Sequence, residues 1–314
     1  MKILISGVHG FVGSNLVEFL KDENEIYGLD IVAPYKDGIV KTFTWDDLDA
    51  GSVPAVDGII HLAGKAHDTK NKSAAEAYFK VNTGLTLKIF DYFRASGAKK
   101  FVFFSTAKAA ADRVEGVLTE NVVPAPVGPY GESKIMAEKY ILDALHESPN
   151  DFADKGVYIF RPCMIHGPGN KGNLNLLYSV VRKGIPWPLG AFENRRTFTS
   201  IENICFAVDG VLAGDVPSGI YNMGDDEALS TNELIEEICK SLGKRAHIWR
   251  LPCGLMRFAA RVGGWLHLPL NPMRLQKLTE NYVSSNAKIK TALGIEKMPV
   301  DAREGLRRTL ESFR

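Results

Sequence analysis

The sequence has few cysteines and spaces them widely: Cys163, Cys205, Cys239 and Cys253 are the only four, and no two form a CxxC pair. A zinc site or a disulfide scaffold needs sulfurs at short, regular spacing, so neither metal nor cross-link is expected and the thiols read as buried or idle. An excess of one charge is missing too. The 38 Lys and Arg stand against 37 Asp and Glu, for a net charge of +1, which speaks against a nucleic-acid footprint and against a polybasic membrane contact. No apolar run approaches the ~18 residues of a membrane-spanning helix. The most suspicious patch, 263–270, is interrupted by His267 and Pro269. The opening residues, MKILISGVHGFVGSN, leave no room for the charged, apolar and cleavage regions of a secretory signal. These absences set the expectation of a cytoplasmic protein with no membrane insertion and no nucleic acid as partner.

What is present is globular in composition, with 45% hydrophobic and 24% charged residues. The 314 residues exceed the roughly 250–300 at which single cores stop growing, so one large domain with a smaller lobe is expected. In the first half, KILISG, EIYGLDI, DGIIHLAG, KFVFFST and VYIFRP read as strands separated by helix-like segments. Short continuous apolar runs of this kind are buried on both faces, as in a parallel α/β sheet with crossover helices. Between two of them, 74–96 places Ala77, Val81, Leu85, Ile89 and Phe93 at helical spacing, with Gly97 where a C-cap belongs. Another helix begins near Tyr130, after the Pro-rich VVPAPVGPYG.

From Gly167 onward, GPGNKGN, PWPLG and NRRTFTS punctuate shorter elements and read as a substrate lobe. A return to the first domain by a strand and helix is expected at 200–214. Two further helices are expected at 231–242 and 252–266. The second is read as an amphipathic helix lodged in the lobe rather than as a membrane or partner surface. No internal repeat or low-complexity segment is visible.

Directly after the first strand come Gly7, Gly10 and Gly13, with Phe11 and Val12 between the last two, and a helix continues from Ser14. Glycines at such a turn let the backbone approach a pyrophosphate, whose charge the helix N-terminus then holds. The spacing is GxxGxxG rather than GxGxxG. Asp30 follows Gly7 by 23 residues, near the ~20 expected of a carboxylate that bonds the adenosine ribose. That carboxylate repels a 2′-phosphate, and DIVAPYK brings no Arg after it, so NAD is favoured over NADP.

Tyr130 and Lys134 form YxxxK at a helix start, one turn apart on one face. A phenol with pKa near 10 is a poor base at neutral pH, but an adjacent ammonium favours the phenolate. Ser105 and Thr106 end KFVFFST, where a hydroxyl is placed to bond the oxygen whose proton Tyr130 moves.

With these residues in place, GVHGFVG, HLAG, KVNTGLTLKIF, FVFFST, PYGESK and FRPCMIHGPG together resemble the extended short-chain dehydrogenase/reductase family of NAD-dependent nucleotide-sugar epimerases and dehydratases. The resemblance runs in order along essentially the whole chain. It implies a Rossmann-type doubly wound parallel sheet that binds NAD and a smaller C-terminal lobe that binds a sugar nucleotide. The expected division gives 1–167, with about 200–222, to the NAD domain, and 168–199 with 223–314 to the substrate lobe.

In this scheme Thr106, Tyr130 and Lys134 are the catalytic set: Tyr130 moves the sugar hydroxyl proton, Lys134 holds the nicotinamide ribose and depresses the tyrosine pKa, and Thr106 positions the sugar oxygen. Gly7, Gly10, Phe11, Val12, Gly13, Asp30, Ile31, Leu62, Ala63 and Gly64, together with Tyr130 and Lys134, line the cofactor. Arg196 falls where the family sets an arginine on the pyrophosphate, with Arg195 beside it. Arg274, Asn173 and Ser105 are further substrate candidates, and Asn175 shares the loop with Asn173. HLAG replaces the family's HLAA. His166, in place of the tyrosine of YGPG, is read as a packed loop histidine. AKAAAD lacks the Asp-Glu pair by which dehydratases eliminate water.

STAK, PLGAFENRRTFTSIEN and DDEALSTNEL resemble the branch of UDP-N-acetylquinovosamine 4-keto reductases and UDP-hexosamine 4-epimerases of surface-polysaccharide synthesis. A homodimer joined through the helices at 85–93 and 130–142 is the family's habit. Two other readings stay open, a non-catalytic NAD-sensing protein on this fold and a ketone reductase acting on a substrate without a nucleotide.

Overall fold

Among the described residues, the computed structural model has twelve strands: β1 (Lys2–Ser6), β2 (Glu25–Leu29), β3 (Ile39–Phe43), β4 (Gly58–His61), β5 (Lys100–Phe104), β6 (Val117–Leu118), β7 (Gly156–Pro162), β8 (Met164–His166), β9 (Arg196–Ser200), β10 (Gly219–Met223), β11 (Ala228–Leu229) and β12 (Val283–Ser284). The structure describes residues 1–66, 74–170, 172–266, 268 and 270–314. His267 and Pro269, singled out above, lie outside the described residues. Seven strands form one sheet in the order β10-β7-β5-β4-β1-β2-β3, and every neighbouring pair in it is parallel. The chain winds one way from β1 to β3 and the other way from β4 to β10. The carboxyl ends of β1 and β4 therefore flank the switch point, where open α/β sheets bind ligands.

The apolar runs become central strands because both faces are covered. Ile3 and Ile5 pack on one side of the sheet with Leu16, Val17 and Val208. Leu4 packs on the other with Ile59, Phe90, Phe93 and Phe101. A third cluster gathers Leu174, Phe198, Leu234, Ile238 and Leu306. The five expected strands are present as β1, β2, β4, β5 and β7, and the Rossmann-type doubly wound sheet is the observed fold.

Three local expectations need correction, and two strands of the large sheet were not expected. The two outermost strands, β3 and β10, carry no continuous apolar run. In β3, Val40 and Lys41 face solvent, since an edge strand covers fewer neighbours. The segment 200–214 is almost wholly the helix Ile201–Ala213. The strand before it, β9, belongs to a separate sheet β11-β9-β8, and the strand that rejoins the large sheet, β10, comes after it.

The helix expected over 74–96 is divided into Ala75–Tyr78, a π-helical turn Phe79–Gly84, and Leu85–Ala95. The wider turn rotates the inward face, so Asn82 and Thr86 are buried while Val81 and Leu85 are only half-buried. Ser96, not Gly97, closes it, with extended backbone and a hydroxyl that donates to Phe93 O at 3.0 Å. Finally, the helix Cys253–Trp265 buries only Met256, Ala260 and Gly263, while Leu255, Phe258, Val262 and Trp265 face outward.

Candidate functional site

The turn after β1 is built so that no side chain fits in it. Gly7 has φ +69°, its N–H donates to Leu29 O at 2.8 Å, and a Cβ on it would stand 2.8 Å from Ala63 N. A Cβ on Gly13 would stand 2.5 Å from Gly7 O. Gly10 opens the helix Phe11–Leu20, which has no side-chain cap and no acidic residue in its first turn. Its leading N–H groups and positive dipole end are thus left for an anion.

Asp30 sits on the lip of this cradle. Its carboxylate accepts from His9 N at 3.1 Å and from Ile31 N at 2.7 Å. Phe11, Val12, Leu62 and Ala63 are half-buried around the turn, and Gly64 and Ile31 are exposed. A glycine cradle at a helix N-terminus beside an anchored carboxylate fits a dinucleotide.

Beneath the cradle is a polar chain that sequence reasoning passed over. His61 Nδ1 lies 2.6 Å from Ser6 Oγ, and its Nε2 lies 2.9 Å from Thr86 Oγ1. Thr86 gives its own proton to Asn82 O at 2.6 Å, so Nε2–H donates to Thr86 and Nδ1 accepts from Ser6. The Ser6 oxygen in turn accepts from Leu62 N and Ala63 N, both at 3.2 Å. Burial, reinforced by the nearby Lys134 charge, holds the His61 imidazole well below its ordinary pKa, and it is neutral.

Tyr130 stands in the first turn of the helix Pro129–Glu147, which follows Gly128 at φ +83°. The Thr106 hydroxyl lies near enough to its phenol to favour the charged form, and Tyr78 meets its ring edge-on at 6.4 Å between centroids. One turn on, Lys134 is buried, donates to Phe104 O at 2.7 Å, and lies 4.7 Å over the Phe103 ring. Burial draws Lys134 down to about 8, against the opposing pull of Glu138. Burial raises the Tyr130 pKa, against the lowering by Thr106.

The expectation that Lys134 depresses the tyrosine is therefore corrected for the protein by itself. The ammonium is turned to the carbonyl of Phe104, desolvation dominates at the phenol, and the phenol rests protonated.

Asn82 is the residue that motif reading missed, although it lies within KVNTGLTLKIF. Its side chain accepts from Lys65 N at 2.7 Å and donates to Ser133 Oγ at 2.9 Å. It thereby ties the Gly64 loop to the Tyr130 helix, and only the π-helical turn brings it inside. A Cβ on Gly64 would stand 3.1 Å from Asn82 Oδ1 and 3.2 Å from Lys134 Nζ. The departure from HLAA thus leaves room beside the lysine.

Ser105 does not join this group. Consecutive residues of an extended chain point to opposite sides, and while Thr106 reaches Tyr130, the buried Ser105 hydroxyl donates to Glu138. Glu138 is itself paired with the buried Arg161, Nη2 to Oε2 at 2.5 Å. Ser105 is thus a support of the fold rather than a substrate contact.

In the second lobe, Arg196 begins β9. Its guanidinium donates to Lys277 O at 2.5 Å, and burial lowers its pKa. Among the described residues no ion pair engages it, and burial pushes the neighbouring Cys163 thiol up to about 12, so that neighbour is neutral. Arg195 is exposed.

Arg274 is exposed in the first turn of the helix Pro272–Thr279, and Asn173 is exposed at the start of the helix Asn173–Arg182. Asn175 has a buried Oδ1 without a hydrogen-bond partner among the described residues. His166 is packed: it is buried, with Nδ1 2.9 Å from Thr309 Oγ1 and Nε2 3.5 Å from Asp225 Oδ2. After Thr106 come buried alanines, and the first carboxylate, Asp112, is paired with Lys108 at 3.1 Å.

The sequence profile of the NAD dependent epimerase/dehydratase family matches residues 3–224. The chain is similar to a UDP-glucose 4-epimerase of Vibrio cholerae, 32% identical over 270 residues that cover 80% of this chain and 78% of that one. It is also similar to the N-acetyl-alpha-D-glucosaminyl-diphospho-ditrans,octacis-undecaprenol 4-epimerase of Escherichia coli O157:H7, 26% identical over 257 residues, 80% and 75% of the two chains. In three dimensions it resembles MoeE5 in complex with UDP-glucuronic acid and NAD, with TM-score 0.77 at 21% identity over 100% of this chain and 99% of that one. The glycine cradle, the Thr106–Tyr130–Lys134 group and these similarities lead to one conclusion: the chain is an enzyme of the NAD dependent epimerase/dehydratase family.

Proposed function

We propose that the protein is a 4-epimerase of UDP-linked hexosamines or hexoses, oxidising the sugar at C4 and reducing the resulting ketone from the opposite face. The observation that carries this reading is the Tyr130 phenol set near the Thr106 hydroxyl with Lys134 one turn away, all beside the glycine cradle. Gly7, Gly10, Gly13 and the helix they open would hold the pyrophosphate of NAD, Asp30 its adenosine ribose, and Leu62 to Gly64 its nicotinamide half. When bound, NAD supplies the acceptor and donor of hydride, and its positive ring favours the phenolate.

Tyr130 takes the C4 hydroxyl proton and returns it, Thr106 holds the same oxygen in line, and Lys134 donates to the nicotinamide ribose. Arg196, recessed and in no ion pair among the described residues, forms a fork for the UDP diphosphate. The absence of carboxylates directly after Thr106 supports epimerisation over water elimination. The exposed Met136 and Leu142 on the helix Pro129–Glu147 support a homodimer formed through that helix and Leu85–Ala95.

The deciding experiment is incubation with catalytic NAD and, in turn, UDP-N-acetylglucosamine, UDP-glucose and their C4 epimers, and separately with NADH and the corresponding UDP-4-keto sugars, with products followed by NMR. Interconversion at C4 without net change of NAD is expected. Stoichiometric consumption of NADH with a 4-keto sugar, and no interconversion, would replace the epimerase with a keto reductase. No turnover of any of these sugars, with NAD bound, would favour the sensing protein or a non-nucleotide ketone.

A further inference from the structure

From residue 238 to residue 279 the chain carries no carboxylate, while eight Lys and Arg fall in the same stretch of a protein whose net charge is only +1. The helix Cys253–Trp265 lies in the middle of it. Leu255, Phe258, Val262 and Trp265 recur along that helix at spacings of three, four and three, which aligns them in one stripe. They are 53%, 65%, 37% and 80% exposed. Met256, Ala260 and Gly263 take the buried side, so the stripe is a second apolar face and not a displaced core face.

Leu266 and Leu268 carry the exposed apolar surface past the helix end. That end is fixed by a close turn, with Leu268 N donating to Gly263 O at 2.7 Å and Leu270 O so near Gly263 that a Cβ there would stand 2.1 Å away. Arg257 and Arg261, four apart on the helix and both exposed, border the stripe.

We propose that this face docks flat on an anionic phospholipid bilayer, with the stripe in the boundary between headgroups and acyl chains and the arginines on lipid phosphates. A helix with Trp, Phe and Leu on one face and arginine beside them is suited to lie in that plane, and a one-sign cationic segment is drawn to an anionic leaflet. With 13 residues the helix is far too short to span a bilayer, and among the described residues no helix is long and apolar enough to do so. A second copy of the chain is the poorer occupant, because a symmetric contact would set the two cationic segments against each other.

The test is vesicle flotation of the whole protein with phosphatidylcholine alone and with about 30 mol% phosphatidylglycerol added. Binding to the anionic vesicles at least about tenfold stronger than to the neutral ones is expected, weakening as salt rises. Phe258→Glu with Trp265→Glu, and separately Arg257→Glu with Arg261→Glu, should each lower that binding about tenfold or more. All four side chains are exposed, so the thermal melt and the turnover of a soluble substrate should not change. The proposal is overturned if the native protein ignores anionic vesicles, or if the glutamate variants float as well as it does. It is also overturned if the stripe variants dissolve an oligomer while the native protein leaves vesicles unbound.

Discussion

Tyr130 and Lys134 share a helix face but answer to different neighbours, and this makes their titrations separable. Lys134 loses its proton near pH 8 rather than at its usual 10.5, so a ribose bond donated by its ammonium weakens as pH rises through that value. The dissociation constant for NAD should be flat below about pH 8 and climb above it, and Lys134→Met should bind weakly with no such break. Calorimetric titration from pH 6.5 to 9.5 checks this. Tyr130→Phe removes only the phenolic oxygen: turnover should fall by ~10² to 10⁴ with NAD affinity and melting temperature retained, and near-native turnover would sink the mechanism. Arg196→Ala should raise the KM for the sugar nucleotide and leave NAD binding alone.

His61 gives a stability signature. Its imidazole stays neutral when buried but takes a proton in the unfolded chain below about its ordinary 6.5. The unfolded state then binds more protons, so stability present above that pH is lost as pH falls. One such group has a limiting slope of about 1.4 kcal/mol per pH unit. Urea midpoints at pH 7, 6 and 5 should drop, and His61→Gln should flatten the trend.

At the scale of elements, the turn between β1 and the helix Phe11–Leu20 is fixed by backbone-to-backbone approach. Gly13→Ala would push a Cβ to 2.5 Å from Gly7 O, with no flexible side chain to give way. A loss of about 1–3 kcal/mol in stability, together with loss of NAD binding, is expected by melting and titration. This turn was legible in the sequence because glycine is the only residue that satisfies it. The π-helical turn Phe79–Gly84 was not legible. A regular period through Ala77, Val81 and Leu85 is a correct pattern for a helix with uniform turns, and nothing local in FKVNTG announces the wider one that turns Asn82 inward. The helix Cys253–Trp265 shows the opposite failure: its apolar residues mark a helix correctly, but not how much of its circumference the lobe covers.

For the molecule as a whole, the helices of the proposed dimer and the cationic stretch are separate elements. The helices Leu85–Ala95 and Pro129–Glu147 should give a dimer by light scattering at micromolar concentration, and Met136→Glu on the exposed side should favour the monomer without altering the fold. A monomeric native protein would remove the dimer and leave the chemistry standing. The overall balance of 38 against 37 charges made a cationic surface look improbable, because a sum over the chain discards position. The sequence alone determined the parallel sheet, the glycine turn with Asp30, and the Tyr130–Lys134 spacing, since each depends on residues close together in the chain or on short apolar runs. Tertiary structure decided that Thr106 and not Ser105 faces Tyr130, that Lys134 bonds Phe104 O, that Asn82 braces the site, and that one apolar stripe stays in solvent. These depend on which face of an element its neighbours cover, and burial by distant segments, not local pattern, sets that.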